Sequence, residues 1–497
     1  MARINTNVSS MIAQSNLRQT NSDLAVRLQR LSTGLRINRG ADDPAGLIVS
    51  ERLRSEMKGL NQAVDNSERA SSVIATSEGY LAEVADLLNS VKNLVVEAAN
   101  TGGVSKDEVE ANQLQIDSAI DSITRISNVA SFAGLNLLNG SLEYTTEGVQ
   151  NSDIAFTRID SARFGNSDTI DVDVQISTPA EQASLVLSGN GGGFTGFVLD
   201  DDLTLEVAGM DGAQTLTFAA GTQQSAMVDA INLISDSTGV EATFVNTAGE
   251  TGIRFNSVDY GSDAFVSVRP VGSGGTGFAA FDDFGTGNVT QRDAGVDVRA
   301  VVNGALATGR GLDVSLNTPA LAVQFDLTAA FATQTTPPGN QTSFQITGGG
   351  ANFQLGPSVS SSQQVSLGIG SVAASRLGGA LSADGDRFFL DSIKSGQANE
   401  LSTGNGQLAS EILDKAILEV SKMRGRLGAF ERNTIQTNIR SLQVGLENIT
   451  SSESKIRDAD FAAETARLSR AQILNQAGTS VLATANTNAQ NVLALLQ

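Results

Sequence analysis

Hydrophobic and polar positions follow two rhythms along this chain. From about Thr6 to Leu35, the residues Leu17, Leu24, Leu28, Leu31 and Leu35 recur at three- and four-residue steps, with polar Asn21 filling one slot. That is the period of an amphipathic helix. Gly34 and Gly40 then loosen the chain before Asp42-Asp43-Pro44 restarts it. Asp43 stands where an N-cap belongs and Pro44 where a first helical residue belongs. A second helix is predicted to about Asn100, through Met57, Leu60, Val64, Ile74, Leu81, Val84, Leu88, Val91 and Val95. It would be on the order of 80 Å long, too long for a compact globule. Thr101-Gly102-Gly103 turns the chain, and a third helix returns through Val109, Ile116, Ile120 and Ile123. The helical period resumes near Gly406. There Leu413, Ala416, Val420, Met423, Leu427 and Phe430 form one seam. Ile435, Ile439, Leu442, Leu446 and Ile449 form a second seam, expected on another face of a helix with neighbours on two sides.

Between these helical ends the rhythm changes to two. Ile170 to Ile176 and Leu203 to Val207 alternate apolar and polar residues, bounded by Gly and Asp turns. Thr215 to Phe218 is expected to pair back on the second run across Gly209 to Gly212. One helix interrupts, about Gln223 to Ser235, before strands at Ala242–Val245 and Phe265–Val268. Thr342–Ile346 and Asn352–Leu355, around Gly348-Gly349-Gly350, read as another hairpin, and Pro337-Pro338 as a seam between outer and inner portions. The order is helices, strands, helices, so the two ends must meet and the middle projects as an insertion.

The extreme ends share a second property. After Arg470 the 27 positions to Gln497 carry no Asp, Glu, Lys or Arg. An apolar stripe runs there through Leu474, Val481, Ala485, Val492 and Leu495. Between Arg3 and Arg18 every residue is uncharged, with Ile4, Val8 and Met11 on one stripe. An ordinary surface helix carries Lys and Glu on its wet side. Two neutral, one-sided helices therefore suit a crowded place, packed against copies of themselves. Twelve Gln, Asn, Ser or Thr among the last 27 residues argue against a membrane span.

Composition narrows the chemistry. Among 497 residues there is no Cys, His or Trp and only three Tyr, which removes disulfides, thiolate metal sites and the commonest general base. No catalytic residue, cofactor or metal site is assigned. The net charge of −21 lies almost wholly in 141–399, with 10 basic and 28 acidic residues, as do 35 of the 50 Gly. An acidic, Gly-rich middle suits a solvated exterior and argues against nucleic acid. Asp200-Asp201-Asp202 reads either as a solvated loop or as a calcium site. Asn288-Val-Thr290 and Asn340-Gln-Thr342 fit the N-glycosylation pattern. No apolar run of signal-peptide length follows Arg3, so export by the general secretory route is not expected.

The opening Met1-Ala-Arg-Ile-Asn-Thr-Asn7 and the run Leu31-Ser-Thr-Gly-Leu-Arg-Ile-Asn-Arg-Gly-Ala-Asp-Asp-Pro-Ala-Gly46 are signatures. So are Met423-Arg-Gly-Arg-Leu-Gly-Ala429, Ser454-Lys-Ile-Arg-Asp-Ala-Asp460 and Gln476-Ala-Gly-Thr-Ser-Val-Leu-Ala-Thr-Ala-Asn486. On these runs the chain resembles bacterial flagellin over roughly 1–140 and 400–497. Leu203 to Val268, with Ala230-Ile-Asn232, resembles an insertion module of long flagellins. The resemblance implies an α + β multidomain chain, with a long coiled-coil bundle from the terminal segments and a Gly/Asp-rich, mainly β outer insertion. Residues 1–42 and 455–497 would form an inner tube, 43–174 and 338–454 a helical spoke with a β-hairpin, and 175–337 the variable exterior.

The implied function is the structural subunit of the flagellar filament, a secreted homopolymer for swimming. The implied partners are a chaperone holding the C-terminal tail, the flagellar export apparatus, and the filament cap and hook-junction proteins. A hook–filament junction protein, or a filament whose outer domain is a glycan-binding adhesin, are the competing readings. Expected self-assembly residues are Leu17, Leu24, Leu28, Leu31, Leu35, Arg36, Asn38, Asp42, Asp43, Leu474, Val481, Ala485, Val492 and Leu495. The family's receptor-recognition stretch usually reads Q-R-V-R-E-L-A-V-Q. Here it is Asn89-Ser-Val-Lys-Asn-Leu-Val-Val-Glu97, with Ser90 in place of the first Arg and with Val91 and Leu94 retained. The zinc protease found in some family insertions needs H-E-x-x-H, and this chain has no His. The terminal N-x-P-Q pattern is also altered, to Asn488-Ala489-Gln490, which permits a more continuous last helix.

Overall fold

The computed structural model describes residues 6–100, 102–164, 167–189, 194–195, 198–247, 250–271, 278–281, 289–336, 339–381 and 387–494. Met1 to Asn5 of the opening signature, Asn288, the Pro337-Pro338 seam and Leu495 lie outside them. The chain divides into two compact units, one of 1–74, 353–364 and 428–497, the other of 75–352 and 365–427. Nine α-helices are described: α1 (Val8–Thr33), α2 (Pro44–Ala98), α3 (Lys106–Val129), α4 (Gln224–Asn232), α5 (Ser235–Thr238), α6 (Ala329–Ala332), α7 (Gly406–Phe430), α8 (Gln436–Arg457) and α9 (Phe461–Ala494).

In the first unit the Leu31–Gly46 signature is a sharp corner, and each of its special residues has a local reason. Gly34 closes α1 in the left-handed conformation at φ 74°, which costs a glycine least. Ile37 is buried. Asp42 accepts the backbone N–H groups of Asn38 and Arg39 at 3.0 and 2.9 Å, and Asp43 accepts that of Gly46 at 2.9 Å as the N-cap of α2. A Cβ on Gly46 would stand 2.5 Å from the Asp43 carboxylate and 2.8 Å from Ile37. Leu60 and Ala63 of α2 pack with Leu442 of α8, flanked by Val64, Leu446 and Ile449.

The two seams expected between Leu413 and Ile449 are corrected by this structure. The five-residue step from Phe430 to Ile435 falls in a π turn, Glu431–Ile435, set within a continuous helical run. A π turn closes i→i+5 hydrogen bonds and so adds one residue to the helical run, which lets the second run continue the first stripe after a five-residue step. Glu431 accepts the Ser71 hydroxyl at 2.7 Å and Phe430 packs on Phe353 at 6.3 Å between ring centroids, which holds the turn in place.

In the second unit α2, α3 and α7 each bury an unbroken stripe: Leu81, Val84, Leu88, Val91 and Val95; Ile116, Ile120 and Ile123; Ile412, Leu413, Ala416, Val420 and Leu427. Ser105 and Glu108 start α3 with a reciprocal capping box. The β portion has two antiparallel cores. The first lies between a five-stranded sheet (Ala305–Leu306, Arg299–Val302, Ile170–Thr178, Gln341–Gly349, Tyr144–Glu147) and a four-stranded one (Thr308–Arg310, Asp313–Asn317, Leu321–Leu327, Ile154–Ala162). Val172, Val174 and Ile176 face inward and Asp171, Asp173 and Gln175 outward, the alternation the sequence predicts. The second core is built by Leu203–Ala208, Ala213–Phe218, Phe265–Val271 and Arg292–Ala294, and by Val240–Thr247, Glu250–Tyr260, Gln182–Gly189 and Phe278–Phe281, with α4. The hairpin expected across Gly209 to Gly212 is present, with Ala213 opposite Ala208.

The second expected hairpin is not formed. Gln341–Gly349 pairs with Ile170–Thr178 and Tyr144–Glu147, while Ala351–Gln354 pairs with Gln364–Leu367. Gly348, Gly349 and Gly350 all have positive φ and carry the chain out of the sheet, pressed against Tyr144. A Cβ on Gly349 would lie 2.1 Å from the Glu143 carbonyl oxygen, and one on Gly350 would lie 2.7 Å from the Tyr144 ring. Asn340 is also corrected as a glycosylation acceptor: it is buried, and its amide donates to the Ile176 carbonyl at 3.1 Å. Asp202 of the acidic triplet accepts the Ala220 N–H at 2.8 Å. Among the described residues no group of three or more carboxylates is placed to hold a metal ion.

Gly349→Ala combines a disallowed φ with a backbone clash and is expected to destabilise the β portion by roughly 2–4 kcal/mol. Thermal melting followed by circular dichroism checks this; an unchanged Tm would show that the three glycines are not needed for the departure from the sheet.

The paired chain ends as a candidate assembly surface

The two chain ends meet as an antiparallel helix pair, α1 on α9. Asn7 caps α1 and its amide also donates to the Ala485 carbonyl at 2.9 Å. The Ser10 hydroxyl donates to the Asn486 side chain at 2.8 Å, and Asn475 donates to Asn21. Gly478 lets Leu17 approach, since a Cβ there would lie 3.2 Å from its methyl. Ala13 and Ala471 are buried in the same contact face. Small and neutral groups fill the interface, so the two backbones come close without charge in the seam.

Charge enters at one place. Glu464 is 3% exposed and is gripped by Arg27, with two bonds of 3.1 Å, and by Arg30 and Arg467 at 3.2 Å each. It is the sole acidic residue of α9. Burial pushes its carboxyl up, but hydrogen bonds from Arg27 and Arg30 outweigh this and hold it below the usual carboxylate range. At the base of the pair the backbone joins in: Arg36 N–H bonds to the Arg457 carbonyl at 2.7 Å, Ala459 N–H to that of Gly34 at 2.9 Å, and Leu35 bridges Asp458.

The expected assembly residues fall into two groups. Arg36 donates to the Ile456 carbonyl at 3.2 and 2.5 Å and Asn38 to that of Leu35 at 3.1 Å, so these two, with Asp42 and Asp43, build the corner within the chain. Leu17, Leu24, Leu31, Leu35 and Ala485 are half-buried. Leu28, Leu474 and Val481 point away from the pair, the last two 53% and 58% exposed, alongside Val8, Met11, Ile12 and Ile473. Leu474 and Val481 of the tail stripe are therefore outside the face that meets α1, whereas Ala485 lies at it, its carbonyl accepting the Asn7 amide. Val492 lies in the last turns of α9. Ser90 is exposed and bonds only its own helix, to the Asp86 carbonyl at 3.0 Å, while Leu94 is half-buried and Val91 fully buried. Sequence reasoning missed the Glu464 clamp. Its signal was one carboxylate in α9, a helix whose other charged residues are Arg467 and Arg470.

Comparison with known proteins bears on this surface. Over 99% of both chains, 30% of residues are identical to flagellin of Salmonella typhimurium (strain LT2). The chain belongs to the flagellin family. B-type flagellin of Pseudomonas aeruginosa is 30% identical and flagellin of Escherichia coli (strain K12) 29%, again over 99% of each chain. Family models match at both ends, the bacterial flagellin N-terminal helical region over 4–143 and the C-terminal helical region over 410–496. A flagellin hook IN motif matches 202–258, where Asn232 staples α4 to Ala242 by two bonds of 3.1 and 2.7 Å. As a flagellin this chain is a structural subunit of the bacterial flagellar filament, and the junction-protein and adhesin readings are not favoured. No described helix is long and apolar enough to cross a membrane.

Glu464→Leu leaves Arg27 and Arg30 side by side without their carboxylate, which is expected to weaken the pair by about 3–5 kcal/mol. Seeded elongation should stop while the β portion melts as before. Because the folded carboxyl is depressed, its contribution is present above the usual value of about 4 and is lost as pH falls below it. Light scattering of filaments during acid titration reads this; dissociation at the same pH in wild type and in Glu464→Gln would exclude the clamp as its cause.

Proposed function

We propose that subunits join through the outward faces of α1 and α9, leaving the α1–α9 contact itself intact within each chain. The carrying observation is a pair of helices that expose Val8, Met11, Ile12, Ile473, Leu474 and Val481 with no charge along the tail beyond Arg470. Solvated helices of this length would gain from Lys and Glu on that side, whereas copies of the same chain gain from burying it, at about 25 cal/mol per Å² of apolar surface. In this reading 1–42 and 455–497 line the inner tube, 43–174 and 338–454 form the spoke, and 175–337 faces the medium with its acidic, Gly-rich surface.

The rest of the life cycle follows from the same surface. A neutral, apolar-striped tail needs a chaperone before assembly, and export proceeds through the flagellar apparatus. At the growing end the subunits meet the cap, and at the base the hook-junction proteins. The protein acts by packing. Ser90 supplies no guanidinium to an animal Toll-like receptor, so recognition by it is weak.

Val481→Asp tests the assembly face. A carboxylate buried without a partner costs several kcal/mol, and each added subunit repeats that cost. Seeded elongation is expected to stop, with circular dichroism and melting of the free chain unchanged. Elongation at the normal rate would remove Val481 from the interface.

Ser90→Arg tests the receptor reading. A charge-assisted contact contributes ~1.5–3 kcal/mol, on the order of tenfold or more in affinity. A reporter-cell titration should shift to lower protein concentration by that factor, and an unshifted curve would place the deficit elsewhere.

A further inference from the structure

The chain has six Met, and the described ones sit in different surroundings. Met227 is buried in the second β core and Met423 on the apolar stripe of α7, while Met57 of α2 is half-buried. Met11 and Met210 stand open, at 62% and 55% exposure. Met210 lies in the turn between Leu203–Ala208 and Ala213–Phe218, next to exposed Asp211. Met11 lies on α1 between Val8 and Ile12, which are likewise open, in a stretch without charge from Arg3 to Arg18.

A thioether is apolar and flexible, so it packs as readily as Val8 or Ile12 beside it. It differs from them in chemistry. With no Cys in the chain, methionine sulfur is where a peroxide acts. Met11 is the only sulfur in α1, and α9 holds none. One atom of the outward face is therefore open to change by a mild oxidant.

We propose that Met11 is an oxidation site that gates assembly, resting on the reading that copies join through the outward faces of α1 and α9: a peroxide turns its thioether into a sulfoxide in the free chain, and the sulfoxide keeps that chain out of the filament. A sulfur lone pair attacks one peroxide oxygen, and the S–O bond forms as the O–O bond breaks. The second oxygen takes the displaced proton and leaves as water. Sulfur is oxidised by two electrons and the peroxide is reduced by two. The product sets a polar oxygen among apolar Val8 and Ile12, on a face that other copies must cover, and burying such a group without a donor is unfavourable. In a seated subunit the same packing shields the sulfur. Oxidation thus acts on subunits that are waiting and spares filament already built.

Free full-length chains and seeded filaments are treated with hydrogen peroxide, and each methionine is read by peptide mass spectrometry. In free chains Met11 and Met210 are expected to gain oxygen at comparable rates, with Met227 spared. In filaments Met210 should react as before and Met11 at least about tenfold more slowly, since reactivity follows exposure. Equal reaction of Met11 in both forms would overturn the joining face, and the gate with it. Treated free chains are expected to elongate seeds on the order of tenfold more slowly, as a buried unsatisfied polar group requires. Treated Met11→Leu, which keeps Met210, should elongate like untreated chain. Methionine sulfoxide reductases specific for the two epimers should restore treated wild type, a readout that needs no variant. Three outcomes would overturn the gate while leaving the joining face in place, each with Met11 shielded in filaments: treated wild type elongating normally, treated Met11→Leu slowed as much as wild type, or no recovery after the reductases.

Discussion

The antiparallel pairing of the first and last helices is the constraint on which the rest depends. It brings Asn7 beside Ala485 and so makes everything between Thr33 and Phe461 an insertion that leaves and returns through one corner. The corner is correspondingly over-determined, with a left-handed Gly34, a buried Ile37, two carboxylates bonded to backbone N–H groups, and a backbone bridge from Leu35 to Asp458. Removing charge from the helix contact lets small residues and side-chain amides set the distance between backbones. The single buried carboxylate, Glu464, then meets three arginines, which is how a buried charge is tolerated.

The same economy explains why the exposed sides of α1 and α9 look unfinished in a single chain. A helix surface left apolar and uncharged is poorly suited to water and well suited to repetition, because one design then serves every subunit. Farther along the chain the logic is reversed. The β sandwich keeps Asp171 and Asp173 outward, and Arg426 of α7 meets it by pairing with Asp160 and donating to the Gly368 carbonyl.

Much of this was legible in local pattern. Asp43-Pro44 announced the start of α2, the alternation from Ile170 to Ile176 announced a half-buried strand, and Leu203 to Phe218 announced its own hairpin. Those features depend on neighbours a few residues away. What was not legible depends on distance or on register. Arg27 and Glu464 are separated by 437 positions, and nothing in either neighbourhood names the other. The five-residue step at Phe430–Ile435 read as a change of face because a π turn and a new seam leave the same trace in a sequence. Gly348 to Gly350 read as a hairpin turn because glycines permit positive φ without saying where the chain goes next. The tail stripe was visible, but only the structure separates the face that meets α1 from the face that remains open.

The central claim is that the chain ends are completed by other copies of the chain. Brief proteolysis of free subunits and of filaments, read by mass spectrometry of both ends, tests it most directly. Isolated helices of this kind are marginal in water, so the free subunit should lose roughly the first 40 and the last 40 residues while the filament keeps both. Equal resistance of the two forms would mean that the pair is complete within one chain, and that its outward face is not where subunits meet.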